Sequence, residues 1–158
     1  MKSRIAIAVA ILALASPSWA QGAKQSPAPF SSAADIQGLI AKARSEHKDN
    51  GSNTIEPLVS IGPYIVNIEY RTGETPPTVH KGQFEYIQVL EGSATLIEGG
   101  KLENGKGPPN LIVGTSISGG TSQVISKGDY VVIPPNTPHQ FSTTKSPFIM
   151  TSVHINKP

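Results

Sequence analysis

The sequence predicts a small all-β domain, a sandwich or barrel, preceded by one short helix. Three observations carry this. After Gly51 the apolar residues recur with a period of two in several short runs, the pattern of half-buried strands. Turn signals separate the runs, and the 158-residue chain holds 15 glycines and 14 prolines. Only one segment, near the N-terminus, has helical spacing, so connections that would build a parallel sheet are missing. The length suits a single domain.

Residues 1–20 read as a secretory signal peptide. Lys2 and Arg4 form a basic start, 5–15 is an unbroken run of 11 apolar residues, and Ser18-Trp19-Ala20 offers small residues for cleavage before Gln21. The run is too short to span a bilayer, which takes about 20 apolar residues. The expected protein is therefore secreted or periplasmic, with no membrane contact after cleavage. Losing Lys2 and Arg4 removes the formal charge of +2. A neutral chain with 15 % charged residues has no basic face for nucleic acid. The cysteine count of 0 excludes disulfides, thiolate metal sites and thiol nucleophiles.

Residues 21–30 are polar and Pro-containing, a flexible leader. A helical region over 31–50 follows. Ser32 and Asp35 fit a capping box, and Ile36, Leu39, Ile40 and Ala43 follow at helical spacing. The helix is expected over 33–46, ending before Asn50-Gly51. The β-domain occupies 51–158. Ile65, Val66, Ile68 and Tyr70 mark one strand. Further strands are expected at 84–90, ended by Glu91-Gly92, and at 94–98, 121–126, 130–133, 139–143 and 148–155. Residues 99–120 contain seven glycines and Pro108-Pro109, and are read as a hairpin insertion or a rim loop over a pocket.

The chemistry rests on few residues. The histidines are His47, His80, His139 and His154. His47, at the helix end, reads as structural. Lys81-Gly82 between His80 and Glu85 allows a tight turn, which would bring both side chains to one interior. Pro134-Pro135-Asn136-Thr137-Pro138 is a rigid lead into His139. His154 cannot be assigned a face and is expected to be partnered or exposed rather than a ligand. No phosphate loop or nucleophile elbow is present.

Two motifs resemble those of the cupin superfamily. Thr78-Val79-His80, four residues, Glu85, six residues and Gly92 match the H-x-H-x4-E-x6-G part of its first motif, with Thr78 in the place of the first His. Gly128, Pro134 and His139 match its second motif at full spacing, with Asn136 in place of the turn Gly and Thr143 in place of the final Asn. Asn tolerates the positive φ such a turn requires. The resemblance covers about 73–143. It implies a double-stranded β-helix, or jelly-roll, barrel.

The resemblance further implies a divalent metal ion held inside the barrel by His80, Glu85 and His139. Two imidazoles and a carboxylate suffice for Fe, Mn or Zn and leave open positions for a small-molecule substrate. Thr78 is a poor ligand but fits a supporting role beside the metal. If Glu85 points inward, so do Ile87 and Val89, and Phe141 shares the parity of His139. The pocket is thus expected to include Thr78, Ile87, Val89 and Phe141. Metal-dependent dioxygenases, isomerases, decarboxylases and lyases share this fold, and nothing in the sequence selects among them. The second reading is a metal-free module that binds a small ligand such as a sugar or organic acid without catalysis. Cupin barrels usually have edges and faces to cover, so a homodimer is expected.

Overall fold

A computed structural model of the chain describes residues 29–48 and 53–158. The expected signal peptide and residues 21–28 of the expected leader lie outside the described residues. The described part is one helix, α1 (Ala33–Glu46), and ten strands: β1 (Thr54–Ile61), β2 (Tyr64–Arg71), β3 (Thr78–His80), β4 (Gln83–Glu98), β5 (Lys101–Glu103), β6 (Leu111–Val113), β7 (Ser116–Ser118), β8 (Thr121–Ser126), β9 (Tyr130–Ile133) and β10 (His139–Asn156).

The helix forms where the sequence places it. The Ser32 hydroxyl accepts from the Asp35 N–H at 3.2 Å, and the Asp35 carboxylate accepts from the Ser32 N–H at 2.8 Å. This reciprocal cap satisfies two N–H groups that the first turn leaves unpaired. Ile40 and Ala43 are buried on the face that packs against β1 and β2. They join Leu58, Ile68, Tyr70 and Ile149 in one apolar cluster. Lys42 reaches over its edge to Glu56 at 2.7 Å.

The strands form a curled antiparallel sheet in the order β1-β2-β10-β3-β6, and β4 joins it by pairing with β10, β8 and β9. A small hairpin of β5 and β7 stands apart. The central strand β10 runs beside β4 for nearly its whole length and beside β2 over 148–152. A second apolar cluster fills the barrel. It includes Ile87, Val89, Leu96, Ile133, Phe141, Phe148 and Met150.

Two boundaries differ from expectation for one reason. Glu91-Gly92 does not end a strand: β4 continues through Gly92, which adopts φ +77°. A Cβ there would run into the carbonyls of Lys145 and Pro147, so the close approach of β10 requires glycine. The irregularity shifts the side-chain parity. Glu85, Ile87 and Val89 point inward before it, and Ala94 and Leu96 after it. Likewise 139–143 and 148–155 belong to one strand, whose register against β4 shifts between Thr143 and Met150. His139 and Phe141 face inward before the shift, and Phe148, Met150 and Ser152 after it.

Residues 99–120 are both things expected of them. Lys101–Glu103 and Ser116–Ser118 pair as a surface hairpin. Leu111–Val113 adds a strand to β3 and places Leu111 and Val113 at the rim of a cavity.

Candidate metal centre and its cavity

The site lies inside the barrel mouth and is assembled from three strands. His80 ends β3. Lys81-Gly82 turns the chain, with Gly82 at φ +69°, and β4 begins at Gln83. Glu85 then faces the same interior. Asn136 fastens this turn to the second motif. At φ +64° it donates its N–H to the His80 carbonyl at 3.0 Å and accepts from the Gly82 N–H at 3.2 Å. The positive φ expected of Asn136 is thus observed. His139 opens β10 after Pro138, and its register partner on β3 is Thr78.

The ligand group that the structure closes is His80, Glu85 and His154; His139, expected as the third ligand, is outside that group and contacts Glu85 Oε2 instead. His154 pairs directly across from Glu85 on β10. Its parity is that of Phe148, Met150 and Ser152, all three buried, so it faces inward. That alternation was the available signal. It was obscured because Ile149, of the opposite parity, is buried too, against the helix. His80, Glu85 and His154 each offer one ligand atom within 4.8 Å of the others. Nε2 of His154 lies 3.1 Å from Nε2 of His80. Glu85 Oε2 lies 3.7 Å from His80 Nε2 and 3.0 Å from His139 Nε2, while Oε1 lies 3.7 Å from His154 Nε2.

The ring contacts decide which nitrogens carry protons. Nδ1 of His139 is 3.1 Å from the Thr137 carbonyl. A carbonyl only accepts, so Nδ1 holds a hydrogen, and whenever the ring is neutral Nε2 presents a lone pair. That lone pair meets the hydroxyl of Thr78 at 3.1 Å and the carboxylate of Glu85. Glu85 Oε2 is buried and has no hydrogen-bond partner. Burial pushes His80 down to about 4, helped by the neighbouring His154, so this imidazole is neutral near pH 7. Burial also acts to lower His154, but the adjacent Glu85 outweighs it and raises the ring above its ordinary value. Burial alone would raise Glu85, yet contact with His139 and His154 holds it below the usual carboxylate range.

The cavity beside these groups measures about 300 Å³. Thr78 and Phe141 line it as expected. Ile87 and Val89 do not: each is 1 % exposed and packed in the core cluster rather than on the cavity wall. They share the inward face of Glu85, but the barrel interior is solid at their level. The wall instead includes Glu69 and Arg71, which sequence reasoning missed. They alternate with Ile68 and Tyr70 along β2. The polar face of that strand turns out to be the inside of the barrel, and the apolar face packs under the helix.

His47 is structural. Its ring nitrogens contact Thr54 Oγ1 at 3.0 Å and Thr72 Oγ1 at 2.8 Å, and the ring packs on Tyr70.

No protein-family model matches the chain, and no curated protein matches it in sequence. Solved structures do match in fold. A double-stranded β-helix protein from Klebsiella pneumoniae is 18 % identical, with TM-score 0.51 over 70 % of this chain and 77 % of that one. The cupin domain of Cnp3 from Schizosaccharomyces pombe is 10 % identical, with TM-score 0.50 over 72 % of each chain. The hydroquinone 1,2-dioxygenase PnpCD, in complex with Cd2+ and 4-hydroxybenzonitrile, is 15 % identical, with TM-score 0.56 over 75 % of this chain and 72 % of that one. The fold of this chain is the cupin double-stranded β-helix.

Proposed function

We propose that this protein is a secreted or periplasmic cupin that holds one divalent metal ion through Glu85 and the imidazoles of His80, His139 and His154, and acts there on a small organic molecule. One observation carries the reading. The Thr137 carbonyl holds a hydrogen on His139 Nδ1, and Nε2, the nitrogen that carries a lone pair when the ring is neutral, lies 3.0 Å from the buried Oε2 of Glu85, which has no hydrogen-bond partner. Such a contact needs a proton or a cation beside it, and three imidazoles with a carboxylate are a donor set for Fe, Mn or Zn. His154 supplies the imidazole that the first motif lacks at Thr78. The Cd2+-bound dioxygenase of the same fold supports the reading.

A bound ion of this kind supplies Lewis acidity or, if redox-active, O2 chemistry. The chain's own residues do the rest. His80, kept neutral by burial, offers a lone pair without first losing a proton. The Thr137 carbonyl orients His139, the outer support a ligating imidazole needs. Leu111, Val113 and Phe141 line the cavity with apolar surface that limits water and receives the substrate body.

A second reading, metal-free capture of a small ligand, draws on Thr78. Its hydroxyl sits 3.1 Å from His139 Nε2 and can donate to that lone pair without an ion. Elemental analysis separates the two. Protein grown with Fe, Mn and Zn supplied should carry about one ion per chain, lost in the variant His80→Ala/His139→Ala. Metal-free wild type under those conditions would refute the metal reading.

A further inference from the structure

We propose that the cavity takes a small monoanionic organic acid and that Arg71 anchors its carboxylate. The inference rests on the metal reading above for its charge balance.

Arg71 lies at the end of β2 and is 8 % exposed. It borders the same cavity as Glu85 and the histidines. Its Nη2 donates to Glu69 Oε2 at 2.6 Å and its Nη1 donates to Thr75 Oγ1 at 2.9 Å. Its Nε is buried with no hydrogen-bond partner. Among the described residues, two buried side-chain polar atoms are without a partner, Arg71 Nε and Glu85 Oε2, and both residues border this cavity. Buried N–H groups left unpaired are costly and rare, so Arg71 is a cation beside the cavity whose hydrogen-bonding capacity the protein does not fully use.

Glu69 does not compete for that capacity. Ser152 Oγ donates to its Oε1, and Asn53 and Arg71 donate to its Oε2, so both carboxylate oxygens are engaged. The guanidinium is held in place by Glu69, Thr75 and the Phe141 ring, whose centroid is 4.9 Å from Cζ. It still has N–H groups to give. Its planar fork suits a carboxylate better than a hydroxyl.

Charge decides the ligand class. The formally charged residues bordering the cavity are Glu69, Arg71 and Glu85. Glu69 and Arg71 cancel. A divalent ion against Glu85 then leaves a single net positive charge, which a monoanion neutralises and a sugar does not. A buried charge left unbalanced is disfavoured. Ile55, Leu111, Val113 and Phe141 provide an apolar wall for the rest of the molecule.

The test uses zinc-loaded full-length mature protein and three probes, acetate, benzoate and phenylacetate, each against its neutral amide, by calorimetry. At least one carboxylate should bind about tenfold more tightly than its amide, and Arg71→Met should abolish the preference. Because that variant leaves Glu69 unpaired in the interior, Glu69→Gln/Arg71→Met is measured beside it, with the same loss expected and the zinc content unchanged. No carboxylate binding to wild type, or a preference that survives in the double variant, overturns the proposal. Zinc content separates the two readings. Wild type that takes no zinc refutes the metal, while Arg71-dependent carboxylate binding in that sample still supports the anchor. Zinc bound without the preference refutes the anchor alone.

Discussion

Nε2 of His139 lies 3.0 Å from Oε2 of Glu85, and the Thr137 carbonyl holds a hydrogen on the other ring nitrogen. In zinc-loaded protein, nitrogen-correlated NMR should therefore show His139 with a slowly exchanging Nδ1–H and no proton on Nε2. A ring protonated on Nε2 in that sample would remove His139 from the ligand set.

His154 faces the same carboxylate from across the strand pair, 3.1 Å from His80 Nε2. His154→Ala should weaken metal binding by about tenfold to a hundredfold and leave the fold intact. His47→Ala should leave metal affinity unchanged, since that ring bonds Thr54 and Thr72 beside the helix. A metal competition assay reads both. Equal affinities for wild type and His154→Ala would return His154 to a structural role.

Acid should destabilise the metal-free protein partly through His80. Its folded pKa of about 4 lies below the ordinary 6.5, so the unfolded chain binds more protons between those values. The stability contribution is complete above pH 6.5 and falls as the pH drops toward 4. His154, raised in the folded protein, acts in the opposite direction. Melting temperatures of His80→Ala should decline less steeply than wild type across that window. Parallel declines would show that His80 is not the group responsible.

Gly92 carries the parity shift that aims both halves of β4 inward. Gly92→Ala combines φ +77° with a collision against two carbonyls, and should cost about 3 kcal/mol or more in urea unfolding. Gly38→Ala is the control. Nothing lies within 4 Å of a Cβ there, and in the helix the change should stabilise by about 0.5–1 kcal/mol. A tolerated Gly92→Ala would mean that the β4–β10 approach is looser than described.

Val124, Tyr130 and Val132 are exposed on β8 and β9, the strands that flank β4. This is the surface a homodimer would cover. Sizing should give a dimer for wild type and a monomer for Tyr130→Glu/Val132→Glu. A monomeric wild type would refute the dimer.

Much of the fold was legible because local rules and tertiary structure agree. The capping box at Ser32 set the start of α1, and Asn136 kept the turn that aims His139. The misread boundaries, at Gly92 and near Thr143, are places where a glycine or register shift lets a strand continue with reversed parity. Alternation counts faces but does not say which face is the barrel interior. Alternation therefore assigns no face to His154, does not mark Glu69 and Arg71 as inward, and does not separate Ile87 and Val89 in the solid core from the pocket wall. Thr54–Ile61 and Thr78–His80 were not recognised as strands, the second because three residues are too few to show a period.

Titration of Zn2+ and Mn2+ into chelator-stripped protein at neutral pH tests most directly whether Glu85 and the surrounding imidazoles hold a metal. The predicted result is one ion per chain for wild type and an affinity lowered by about a hundredfold or more in Glu85→Gln, with both proteins folded by circular dichroism. Binding that Glu85→Gln leaves unchanged, or no binding by folded wild type, would contradict it.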